Sequence, residues 1–469
     1  MSFNSIIFIL LFLPILLFFT YISKKEYRNY IILLFSIIFY FWGSTRSLYI
    51  ILISLIVNYF IAVMMYKKIF KTSKIIVFIA VCLNILILAY FKYFNFSISI
   101  YNDTIGNIID RRIHIRDMII PLGISYITFQ QISYIVDVYR DVNKVMINFF
   151  EYSLYVLFFP RVIAGPIIQY SDLRAQLRDR IYSVDKFSEG IYRFSIGLGK
   201  KVILSSVLED VANRIFAMQP NELGFIYAWF GAIVYTLQIY LDFSGYSDMA
   251  IGIGYMIGFK LPENFNRPYI SKSISEFWKR WHISLTSFFR QYVYIPLGGN
   301  RGSYKRTLFN NFIIFFISGL WHGANYTFIV WGIYYGVLII LERIGLKKYL
   351  DKLPGFLSQV ITFVIVAIGW VIFRSDNISY AWKYIKTLFN LHSYENMSFL
   401  KLGADSKFWI IFVLSLIISI LPDLSTVIRK KMDNSIIYLV KYVFSLIILI
   451  YSIAIISTGT FNPFIYFKF

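Results

Sequence analysis

The chain has a single cysteine, four histidines and little charge, and each shortage excludes a class of protein. Cys82 can form no internal disulfide, so a disulfide-stapled secreted domain is ruled out. Its apolar neighbours Val81, Leu83 and Ile85 suit it to packing better than to carrying a thioester. Charged residues make up 15% of the 469, against about 25% in an average soluble protein, which excludes an ordinary soluble globule. With 58% apolar and 20% aromatic residues, intrinsic disorder is excluded as well. The common signatures of nucleotide, serine-hydrolase and zinc chemistry are missing, and no metal site is expected. Gly252-Ile253-Gly254 follows no strand-like segment and reads as small-residue helix packing. Asp242 and Asp248 lie six apart, on different helix faces, which argues against a paired-carboxylate glycosidase.

What the chain does have is apolar length. Ser5 to Tyr21, Tyr30 to Ser44 and Leu48 to Tyr66 carry no Asp, Glu, Lys or Arg, and roughly 20 such residues in a helix cross a bilayer core of about 30 Å. Further runs lie near 75–91, 118–138, 148–170, 190–208, 223–243, 247–260, 308–321, 325–342, 355–374, 406–422 and 436–459. The pattern predicts an all-α, multi-pass membrane bundle of about eleven spanning helices, the remaining segments being re-entrant or interfacial. Met1 to Asn4 has no basic stretch and no small-residue cleavage site follows, so the first run is expected to be a retained helix.

The net charge of +21 suits topology better than nucleic acid. Lys24, Lys25 and Arg28 follow the first run, Lys67, Lys68, Lys71 and Lys74 follow the third, and only Arg46 lies between. That alternation predicts an outside N-terminus, with the alternative that some cations bind an anionic cofactor at the inner surface. No repeat or charged linker divides the chain, so one membrane domain over 1–469 is expected, with its catalytic core near 235–335. There the runs shorten and carry Asp242, Asp248, Glu263, Arg267, Glu276, Lys279, Arg280, His282, Arg290 and His322. Ionisable groups at membrane depth are costly and face a protein interior or a water-filled cavity, which places function in this segment.

His114 and His392 sit in polar connections and read as solvated side chains. His322 follows an apolar run, and its flanking Gly319 and Gly323 would admit a ligand or a second helix; a buried structural histidine and a catalytic base both fit. His282 falls in Ser275 to Arg290, which reads as one interfacial helix with a broad aromatic surface. The alternative is that Lys279 and Arg280 meet the phosphates of an activated donor while His282 assists His322.

Five motifs occur in order: Tyr240-Leu241-Asp242-Phe243-Ser244-Gly245-Tyr246-Ser247-Asp248, Asn264-Phe265-Asn266-Arg267-Pro268-Tyr269, Phe277 to Leu285, Tyr294 to Arg301, and Trp321-His322-Gly323-Ala324. Together they resemble the membrane-bound O-acyltransferase family, in its bacterial branch of alginate, peptidoglycan and teichoic-acid acyl transfer. Lys92 to Phe96, Pro121 to Ser125, Gly165-Pro166 and Trp370 to Arg374 also fit, so the resemblance covers most of the chain. One departure is Leu198-Gly199 before Lys200-Lys201, where relatives more often carry Leu-Phe.

The resemblance implies a helical bundle with an internal tunnel, His322 as the catalytic histidine and His282 as the second. Lys279, Arg280, Trp321 and Asn325 become candidate substrate contacts. The implied activity passes an acetyl group from cytosolic acetyl-CoA, a substrate and not a bound cofactor, across the bacterial inner membrane to hydroxyls of a cell-surface polysaccharide, with an extracytoplasmic acyl-accepting partner. The alternatives are D-alanyl transfer to teichoic acid from a carrier protein, and a non-enzymatic polysaccharide transporter.

Overall fold

The computed structural model describes residues 1–43, 48–68, 73–116, 118, 120–141, 144–220, 222–391, 398–421, 434–459 and 464. Arg46, Lys71 and His392 lie outside the described residues. Among the described residues the chain is helical, without strands and with one isolated antiparallel bridge, Phe265 to Trp281. Six helices are long and apolar enough to cross a bilayer, and three shorter apolar helices of 10–17 residues accompany them. This is a multi-pass membrane protein. Ile75, Phe78 and Leu86 are 58%, 68% and 62% exposed, a display that is costly against water and natural against lipid.

Contacts divide the chain into two compact units. The first comprises Met1–Phe187 and Ile253–Pro262. It holds α1 (Leu13–Ile22), α2 (Arg28–Gly43), α3 (Leu48–Tyr66), α4 (Ser73–Tyr101), α5 (Ile124–Arg140), α6 (Phe149–Leu157) and α7 (Tyr170–Arg178). Apolar packing alone gives such helices no preferred register, so buried amides supply it. Asn58 on α3 and Asn84 on α4 exchange amide hydrogen bonds of 3.3 and 2.8 Å, and Ser54 donates to Gln131 on α5 at 2.9 Å.

The second unit comprises Ser188–Gly252 and Glu263–Phe469. Its helices are α8 (Val184–Gly199, from Ser188), α9 (Ser206–Phe216), α10 (Phe225–Met256, to Gly252), α11 (Ile274–Arg280), α12 (Ile283–Phe289), α13 (Tyr304–His322), α14 (Tyr326–Leu341), α15 (Gly355–Arg374), α16 (Ile378–Phe389), α17 (Ser406–Ile420) and α18 (Asn434–Ser457). The central helix is α10, with 78% of its apolar window buried against 11% for the span that contains α4.

The sequence reads as two runs, 223–243 and 247–260, whereas α10 is one helix of 32 residues. Its polar interruption is not a break but a contact face. A Cβ at Gly245 would lie 2.8 Å from the Gly197 carbonyl oxygen, and one at Gly252 would lie 2.6 Å from that of Gly190. Two glycine pairs, seven residues apart on each helix, therefore bring α8 and α10 into antiparallel backbone contact. Around that seam Arg193 meets Asp248 at 2.7 Å, Lys200 meets Asp248 at 2.6 Å, and Lys201 meets Asp242 at 2.5 Å and Glu209 at 3.6 Å. Each carboxylate of α10 that looked like chemistry in the sequence thus holds a cation from the neighbouring segment. At Gly199, too, a Cβ would be crowded, lying 2.7 Å from the Ile448 side chain of α18.

Helices α13 and α14 approach in the same way. A Cβ at Gly332 would sit 2.6 Å from the Phe315 carbonyl oxygen, and one at Gly319 would strike that of Phe328. The glycines flanking His322 admit a helix, and Gly323 faces the Phe328 ring.

Removing one partner of a buried ion pair strands the other in a medium that cannot solvate it. Lys201→Met should lower unfolding stability by about 3–5 kcal/mol in a detergent-solubilised thermal melt. Adding Asp242→Asn should recover part of the loss. Equal melting of the wild type and the single variant would contradict the assigned pair.

Candidate active site

The segment 275–290 is not the single interfacial helix that its composition suggests. Helix α11 ends at Arg280, Trp281 is extended, and His282 takes a left-handed backbone (φ 45°, ψ 52°) before α12 begins. That region is unfavourable for a residue with a Cβ and persists only where neighbours enforce it. Here a remote strip of backbone does so. The Asn266 N–H donates to the Arg280 carbonyl at 2.9 Å, and the Ile283 N–H donates to the Asn264 carbonyl at 3.0 Å. The aromatic surface faces inward: Phe277, Trp278 and Trp281 are buried, and Trp281 lies 5.0 Å from Phe265 and 4.7 Å from Trp370.

Helix α11 is fixed at its start as well. Ser273 caps it by accepting from the Glu276 N–H at 3.1 Å, and buried Glu342 accepts from the Ser275 N–H at 2.9 Å and from the Ile274 N–H. The helix that leads into the break at His282 is therefore anchored at both of its ends.

His282 is 1% exposed. Its Nδ1 lies 3.0 Å from Asn264 Oδ1, and Phe243 stands edge-on to its ring at 4.7 Å. It falls outside the six candidate spans. Desolvation by burial pushes its imidazole down from the ordinary 6.5 to about 3, so the ring is neutral at physiological pH.

His322 ends α13 and is 6% exposed. The rings of Trp331 at 5.0 Å and Phe373 at 5.2 Å meet it edge-on. Trp321 joins the two histidines, its ring centre 4.9 Å from that of His322 and 6.3 Å from that of His282. Two imidazoles 40 positions apart in the sequence thus share one buried aromatic wall. Such an enclosure excludes water and strengthens any hydrogen bond made inside it.

The other candidates are placed differently. Lys279 is exposed on the last turn of α11. Arg280 is half-buried, held by Glu276 at 2.9 Å and by the Asn266 carbonyl at 3.2 Å. Asn325 caps α14, accepting from the Thr327 N–H at 3.1 Å and donating to the Asp376 carbonyl at 2.9 Å. His114 is exposed. Asn264, which the sequence offers only as part of a motif, proves to be the hydrogen-bond partner of His282 Nδ1.

Residues 122–382, more than half of the chain and including both histidines, match the membrane-bound O-acyltransferase family. The chain belongs to that family. This O-acyltransferase is 42% identical to a probable alginate O-acetylase, AlgI, of Pseudomonas aeruginosa, over 84% of this chain and 76% of that one. It is 34% identical to a peptidoglycan O-acetyltransferase of Helicobacter pylori, over 83% and 80%. A teichoic acid D-alanyltransferase of Bacillus subtilis is 31% identical over 55% of this chain and 69% of its own. Family membership makes this an enzyme and sets the transporter reading aside.

The depressed basicity of His282 has a definite sign. An unfolded chain takes up the proton near 6.5 and the folded O-acyltransferase only near 3, so this group weakens the fold as pH falls between those values. In ¹⁵N-histidine NMR the His282 nitrogens should hold constant shifts from about pH 8 to about pH 5. A titration centred near the ordinary imidazole value would contradict the buried, neutral assignment.

Proposed function

We propose that the protein passes an acetyl group from cytosolic acetyl-CoA across the bacterial inner membrane toward hydroxyls of a cell-surface polysaccharide, with an extracytoplasmic partner completing the transfer. The observation that carries this reading is the placement of His282 and His322 around Trp321 in a member of an O-acyltransferase family. The chemistry needs no metal. The accepting hydroxyl oxygen bonds to the thioester carbonyl carbon, the carbon–sulfur bond breaks, and the hydroxyl proton passes through an imidazole to the departing thiolate. The thioester supplies the driving force, and the protein supplies position, proton transfer and a tunnel closed to water.

In this reading His322 takes the proton from the hydroxyl or holds the acyl path, and His282 orients the acceptor. Lys279, exposed at the end of α11, reaches toward a donor phosphate. Arg280, tied to Glu276, contributes by shaping that end. Trp321 forms the wall between the imidazoles. Asn325, as the cap of α14, acts on the site through α14 and its Trp331. Acetyl is preferred to D-alanyl because the relatives named for O-acetylation match over more of the chain and at higher identity.

Comparing the surface polymer by mass spectrometry with and without the gene tests the proposal. An acetyl increment should disappear on deletion and stay absent with His322→Ala at wild-type protein levels. An alanyl increment would replace the cargo, and an unchanged polymer in His322→Ala would refute the histidine's role.

A further inference from the structure

We propose that Asn264 is a positioning residue that fixes His282 in a single neutral tautomer, Nδ1 protonated and Nε2 bare, so that Nε2 accepts the hydrogen bond of the incoming hydroxyl. The role of Nε2 rests on the acyl-transfer reading above, whereas the tautomer does not.

A donor of fixed direction sets the orientation of the Asn264 amide. The backbone N–H of Ser284 points at the Asn264 side chain with its nitrogen 3.2 Å from Oδ1, and a backbone N–H can only donate. The amide atom it meets must therefore be the oxygen. In that orientation the Ser284 hydroxyl donates to the same oxygen at 2.9 Å, and the amide nitrogen donates to Ser247 Oγ on α10 at 3.1 Å. Turning the amide over would set its N–H groups against the Ser284 N–H. With that orientation fixed, His282 Nδ1 faces an acceptor at 3.0 Å, so Nδ1 carries the hydrogen.

A neutral imidazole has one protonated nitrogen, and the other holds a lone pair. Nε2 is that atom, buried and without a hydrogen-bond partner in the protein among the described residues. Buried acceptors are almost always paired, so one left without a protein donor beside Trp321 suits a group that arrives with substrate. The ring is held against turning. Its backbone is the left-handed cap of α12, Phe243 stands edge-on to it, and Asn264 is 1% exposed. The central helix also enters here, because Ser247 and Phe243 both belong to α10. Asn264 thus ties that helix, the break between α11 and α12, and the imidazole together through one amide.

The test labels the full-length protein with ¹⁵N-histidine in lipid nanodiscs. Its four imidazoles are few enough to resolve, and His282→Gln identifies the His282 signals. Wild type should show a protonated Nδ1 and a bare Nε2. Asn264→Asp keeps an acceptor and should keep that tautomer, whereas Asn264→Leu removes it and should give a mixture. Polymer acetylation should fall on the order of a hundredfold in Asn264→Leu and recover in Asn264→Asp. A wild type protonated at Nε2 would overturn the proposal, as would an Asn264→Leu spectrum identical to wild type. If the tautomer responds as stated while acetylation is unchanged, the role of Nε2 is refuted. If the wild type acetylates nothing, the proposed function fails and the spectra alone decide the claim about Asn264.

Discussion

A charge drawn into an apolar interior must meet its counter-charge there, and this protein satisfies that requirement by pressing two backbones together. The glycine pairs 190 with 252 and 197 with 245 let α8 and α10 approach closely enough for Arg193, Lys200 and Lys201 to reach Asp248 and Asp242. Steric permission and electrostatic closure depend on each other. A side chain at either glycine pair would push the helices apart and separate ions that burial makes expensive to leave alone. With α10 held in this way, its other faces become fixed surfaces. Tyr269 donates to the Thr236 carbonyl of α10 at 2.6 Å, and Asn264 donates to Ser247, so the loop after α10 is fastened to the helix that precedes it.

That fastening carries through to the chemistry. The loop offers the backbone groups that stop α11 and start α12, and the strained residue at the junction is His282. His322 arrives independently, on a helix end that α14 approaches through Gly319 and Gly332. Neither histidine is on a mobile loop. Both are set by helix packing, which holds the two imidazoles in a fixed relation around Trp321.

The membrane class and the apolar helices were legible in the sequence because a twenty-residue apolar run matches the thickness of a bilayer core, and a water-facing helix would interrupt it with charge. The histidines were legible because charge and imidazole are so scarce around them. The break at His282 was not, since the hydrogen bonds that enforce it come from Asn264 and Asn266, and local composition from Ser275 to Arg290 favours one helix. Asp242 and Asp248 read as lying on different helix faces, but their ion-pair partners lie more than forty positions upstream, beyond any local pattern. Arg280 and Asn325 carried readable signals: a carboxylate four residues before the arginine, and an Asn just ahead of an apolar run. Asn264 stood in plain view as part of a motif. Its meaning needed the orientation of the Ser284 N–H, which sequence does not contain.

Passage of acetyl groups across the membrane under the control of the two histidines is the central claim, and vesicles of defined sidedness test it most directly. Inside-out membrane vesicles, with the cytoplasmic face outward and the native partner and polymer enclosed, can be given acetyl-CoA labelled with ¹⁴C in its acetyl group. Label should enter the enclosed polymer when the wild-type protein is present, and none should enter with His322→Ala or when right-side-out vesicles receive the same donor. Equal labelling with His322→Ala, or labelling from the outer face, would contradict the claim.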